Sequence, residues 1–137
     1  MIKKSYMILM EKIPMPTGLT VEVWDKSVSI AEDTTKVALL IRIPVELRSS
    51  YFAKPDHYEL VRKIMEPEIF YEYKKERTFV RDRDKNVFFQ ELLDHFKKNS
   101  LPYLSRPSFA ANFALSKHRD IEKNSHKYNS FLGDDCS

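Results

Sequence analysis

Four histidines, His57, His95, His118 and His126, are the side chains best suited to proton transfer near neutral pH, because imidazole titrates there. Their spacing does not predict a metal site. Two imidazoles at i and i+4 of a helix would converge on one cation, whereas His118 and His126 are eight apart. Cys136 is the only cysteine, so an internal disulfide and a Cys-rich zinc site are both excluded. Asp134 and Asp135 beside it disfavour a thiolate. No serine sits in a Gly-x-Ser-x-Gly elbow, and the two glycines, Gly18 and Gly133, are too few and too far apart for a phosphate-cradling loop. Asp82-Arg-Asp84-Lys-Asn86 supplies oxygen ligands at the first three positions of a calcium loop. Val87 then stands where that loop needs glycine and Leu93 where it needs a bidentate acid, so the segment is expected to cap a helix instead. Neither a metal nor a cofactor is expected.

The remaining chemistry is cationic. Arg77-Thr-Phe-Val-Arg81 puts two guanidiniums four residues apart, and it resembles the Arg-x-x-x-Arg half of the PilZ-type receptors for cyclic di-GMP. In that family an Asp/Asn-x-Ser-x-x-Gly element follows. Here Ser130-Phe-Leu-Gly133 matches its second part and Tyr128 replaces the acid or amide. Between residues 99 and 128 there are five basic and two acidic side chains. Arg106, Lys117, Arg119 and Lys123, together with Arg77 and Arg81, form the candidate set for holding phosphates of a ligand or nucleic acid, with Tyr103 or Tyr128 available to stack on a base. The same charges also describe the solvated face of an amphipathic helix.

The elements that must position these groups follow from hydrophobic periodicity. Leu19 to Ile30 alternates with period 2 and predicts a strand; Val37 to Leu47 carries a continuous apolar face and predicts a second, with Pro44 at an edge or bend. Glu32, Asp33, Thr34 and Thr35 between them predict a hairpin turn. A short helix is expected after Pro55, with Tyr58, Val61, Ile64 and Met65 on one side. Glu68 to Val80 predicts an aromatic third strand whose charged far half, Lys74 to Thr78, is exposed. Phe88, Phe89, Leu92, Leu93 and Phe96 predict a helix over Asp84 to Lys98, capped by Asp82 or Asp84. A seven-residue linker with two prolines then leads to a helix ending near Lys123. The predicted fold is α+β: a small antiparallel sheet of three or more strands with two C-terminal helices packed on one face, in the order β-β-(α)-β-α-α.

At 137 residues the chain is expected to form a single domain over 1–137, burying roughly two-thirds of its unfolded surface without staples, with 1–17 as a flexible N-terminal extension and 124–137 as a flexible tail. The longest apolar runs are about five residues, far short of the roughly 20 that span a bilayer, so no membrane association and a cytoplasmic location are expected. Three functions are consistent with these residues. The leading one is a non-enzymatic module that binds a protein partner or a second copy of itself, using the aromatic strand as a pairing edge. The alternative is an RNA- or nucleotide-binding domain using the basic strand and C-terminal helix. The third is a small acid/base enzyme built on one histidine.

Overall fold

The Val-, Ile- and Leu-rich segment predicted as the second strand forms the centre of the sheet, β4 (Thr34–Glu46). Val37, Leu39, Ile41, Ile43 and Val45 alternate along it and are fully buried; Ala38 and Leu40, on its other face, are buried too. The computed structural model describes residues 7–65 and 68–124, so Cys136, His126, Tyr128 and the predicted tail beyond Asn124 lie outside the described residues. Five strands form one sheet: β1 (Ile8–Pro14), β2 (Thr20–Asp25), β3 (Val28–Ala31), β4 and β5 (Glu68–Arg81). Four α-helices, α1 (Pro55–Met65), α2 (Lys85–Asn99), the single turn α3 (Leu101–Leu104) and α4 (Phe109–Lys123), and two short 3-10 turns at Ser49–Tyr51 and Asp82–Asp84 complete the described chain. The molecule is thus α+β, with an antiparallel sheet and its helices largely after the sheet.

The segment read as one strand over 19–30 is β2 and β3. Asp25 opposes Leu39 and Val28 opposes Lys36, so the two strands keep one register along the same edge of β4 and are interrupted only at Lys26 and Ser27. The break is fully bonded. Lys26 N–H donates to the Ala38 carbonyl (2.9 Å), Ala38 N–H donates to Ser27 Oγ (3.0 Å), and Ser27 N–H donates to Asp25 Oδ1 (2.8 Å). A serine hydroxyl therefore replaces the missing backbone acceptor. Pro44 lies two residues beyond Arg42, the last β4 residue paired with β2, so its absent N–H removes nothing from that ladder.

Two further differences have physical causes. Residues 8–14, within the expected N-terminal extension, form β1 against β2; four consecutive apolar residues at 7–10 obscure the period-2 pattern, and a bulge between Leu9 and Glu11 shifts it. Within the expected linker, Leu101–Leu104 makes a helical turn. Pro102 fits there because the N–H groups of a first turn have no intrahelical acceptor.

The described chain divides into two compact units. The first joins the chain up to Ile43 with Tyr71–Arg106. In it, Phe96 of α2 is fully buried and its ring lies 5.2 Å from that of Tyr73 on β5, while Lys97 Nζ donates to Glu11 on β1 at 3.2 Å. The second unit joins Pro44–Phe70 with the chain from Pro107. Its buried residues include Val45, Leu47, Val61, Ile69, Phe109, Ala114 and Ile121, with α1 packed against α4.

Candidate functional site

The first exposed feature is β1. Its only strand partner among the described residues is β2, so it forms one edge of the sheet. Met7, Ile8, Leu9 and Met10 are 40%, 55%, 40% and 52% exposed, four apolar side chains in a row, before Glu11 and Lys12 restore polarity. Scattered surface hydrophobes are ordinary, whereas a contiguous run along an open backbone edge offers both apolar area and unpaired ladder groups.

The second feature lies at the far end of β5. Phe79 is 80% exposed and has a φ of 57°, in the left-handed region that a bulky L-residue seldom adopts. Strain of that kind persists where surrounding structure enforces it. Here the enforcing contacts are close by: Val80 is buried, Asp82 N–H donates to the Asp33 carbonyl (3.3 Å), and Asp82 Oδ1 accepts from Thr35 Oγ1 (2.5 Å). Asp82 therefore ties the strand end to the β3–β4 turn rather than capping α2, and Asp84, although at the N-cap position, makes no side-chain cap bond. Arg77 and Arg81 flank Phe79, and both are exposed. The Arg77 guanidinium lies over the Phe88 ring at 4.7 Å and 3.9 Å from Glu91. Arg81 and Arg83 are exposed without an ion-pair partner among the described residues.

A third feature escaped the sequence because it joins residues remote in the chain. The rings of His57 on α1 and His118 on α4 stack with centroids 4.0 Å apart and planes 27° from parallel. His118 is 6% exposed, and its Nδ1 lies 3.7 Å from Glu122 Oε1. Burial holds the His118 imidazole below its ordinary pKa; Glu122 opposes that shift, and His57 and Arg119 reinforce it. Stacked rings direct their nitrogen lone pairs side by side, and no group of three His, Cys, Asp or Glu residues among those described is placed to hold a metal.

The other candidate residues divide between the two units. Arg106 follows α3, with its guanidinium 5.5 Å from the Tyr103 ring, in the same unit as Arg77 and Arg81. Lys117, Arg119 and Lys123 lie on α4 in the second unit. At 100° per residue Arg119 and Lys123 share a face, and Lys117 points elsewhere, where its Nζ lies 5.1 Å from the Phe113 ring. The three therefore do not form a single phosphate-tracking stripe on the helix.

Two open clefts lie in the first unit. One, about 220 Å³, has Ile8 and Val28 on its wall beside Asp25, Thr35, Asp82 and Lys85, and both of its carboxylates already accept internal hydrogen bonds. The other, about 400 Å³, lies beside Arg77, Glu91 and His95 and also includes Glu76, whose carboxyl the Lys74 hydrogen bond holds below its usual range. No family model matches the chain, and neither a curated protein nor a solved structure matches it. No helix among the described residues is long and apolar enough to cross a membrane.

Proposed function

We propose that this chain is a non-catalytic interaction module that self-associates by pairing β1 with β1 of a second copy. The observation that carries this reading is the run of four exposed apolar residues, Met7 to Met10, that opens the edge strand of the sheet. The expectation from sequence placed the pairing edge on the aromatic strand, now β5. Its exposed half carries Lys74, Lys75, Glu76 and Arg77, charges of the kind that discourage strand addition, whereas β1 lacks them at its start. An antiparallel pair with its two-fold axis at Leu9 sets Leu9 opposite Leu9 of the second copy and Ile8 opposite Met10, so the centre of the junction is apolar throughout. The described histidines have structural partners, which supports a non-catalytic role. His118 is buried with its ring face against His57, and on α2 Asn99 lies 3.1 Å from His95 Nδ1.

Sedimentation velocity on the full chain tests the reading. The wild-type protein is expected to shift from 16.2 kDa towards twice that mass as concentration rises into the high micromolar range, and Leu9→Lys to remain at the monomer mass. A wild-type chain that stays strictly monomeric, or a Leu9→Lys chain that dimerises equally well, refutes it.

A further inference from the structure

We propose that the distal end of β5 is a binding site for single-stranded nucleic acid, with the Phe79 ring as the stacking platform and Arg77, Arg81 and Arg83 holding the flanking phosphates. This site is distinct from β1 and does not depend on self-association.

The backbone provides the first argument. Regular alternation along β5 would place Phe79 and Arg81 on one face of the sheet with Arg77. Burial at the strand end follows that alternation, with Phe79 and Arg81 exposed on either side of buried Val80, although Phe79 itself holds a left-handed φ. An aromatic residue held in an unfavourable conformation, and then left 80% exposed, gains nothing for folding from either its torsion or its area. A ring so exposed has most of both faces open. That geometry suits a planar partner that stacks, and it differs from the packed, walled environment of an apolar anchor in a protein interface.

Charge selects the class of partner. From Lys74 to Lys85 the chain carries six basic and three acidic side chains. Of the acids, Glu76 is bridged to Lys74 and Lys36, Asp82 is held by the Thr35 hydroxyl, and Asp84 stands at the N-cap position of α2. Arg81 at the strand end and Arg83 in the turn after it are exposed, and Arg77, two residues before the ring, lies over the Phe88 ring and 3.9 Å from Glu91. Guanidiniums before and after an open aromatic ring along the chain match a ligand in which phosphates and planar bases alternate. Stacking is indifferent to base identity, so the site should accept unstructured pyrimidine strands without sequence preference.

Fluorescence anisotropy with a labelled oligouridine, at low and at physiological salt, tests the proposal. The wild-type chain is expected to bind at low salt and weaken as salt rises; Arg81→Gln should reduce the salt slope by about 0.7. Phe79→Ala is expected to weaken binding about tenfold, and Phe79→Tyr to restore it. Phe79→Gly separates binding from folding: it relieves the left-handed strain, so its urea midpoint should be no lower than that of wild type while its affinity falls with that of Phe79→Ala. The proposal is overturned by undetectable binding at low salt, by a Phe79→Ala chain that binds like wild type, or by displacement of the oligonucleotide by polyglutamate at equal charge concentration, which would mark the surface as a site for acidic peptides.

Discussion

His118 shows how a single side chain acquires a property that its neighbours in sequence do not announce. Titratable groups reach it from two helices: Glu122 and Arg119 on its own α4, and His57 across from α1. Because burial lowers the folded pKa, the unfolded chain binds a proton more readily than the folded one. The stability contributed by neutral His118 is complete above the ordinary value of 6.5 and is lost as pH falls through 6.5 towards the lower folded value. Chemical denaturation across this range should show a midpoint that drops on acidification in the wild type and a flatter profile in His118→Phe. Equal slopes in the two proteins would assign the pH dependence to other groups. Residue identity alone gave the titratable group; its burial and its stacked partner required the packing of α1 on α4. Phe79 was equally hidden. Asp33 has a similar left-handed φ of 59°, but Asp in a turn tolerates that conformation and its turn was legible, whereas a phenylalanine within a β-branched and aromatic run reads as ordinary strand.

At the scale of elements, strong periodicity was informative and interrupted periodicity was not. The central strand, the aromatic strand and the two long helices were readable because each places several large apolar residues on one face at its element's own period. β1 was missed since an edge strand buries little and its apolar residues point outward as well as inward. The split between β2 and β3 was missed for a different reason: register is conserved across the break, so the hydrophobic pattern hardly changes. What changes is one hydrogen bond, moved from backbone to the Ser27 hydroxyl. Ser27→Ala is therefore expected to leave Ala38 N–H without its acceptor and to cost about 1–3 kcal/mol, measured as a lower urea midpoint with an unchanged denaturant slope. A loss within a few tenths of a kcal/mol would mean that another acceptor, such as water, takes over the bond. For the candidate basic residues, sequence could not show that Arg77 lies over Phe88, that Arg106 lies against Tyr103 or that α4 turns Lys117 away from Arg119 and Lys123.

For the whole molecule, the order of strands matters more than the chemistry of any one of them. β1 occupies one edge, β2 with β3 the next position, then β4, with β5 on the far side. Joining two copies at β1 would leave both β5 strands at the outer margins of a shared sheet eight positions wide, at most roughly 34 Å apart at about 4.8 Å per position. Under the two proposals above, the pair would act as a calliper on nucleic acid. A strand too short to bridge the margins would engage one jaw, and its affinity would be the same for the wild type and for Leu9→Lys. One long enough to bridge them would gain from the high effective concentration of the second jaw, and would favour the wild type by about a hundredfold or more if the span is matched. Plotting affinity against oligonucleotide length for both chains would therefore measure the width of the assembled sheet in nucleotides, with the length at which the curves part serving as the ruler.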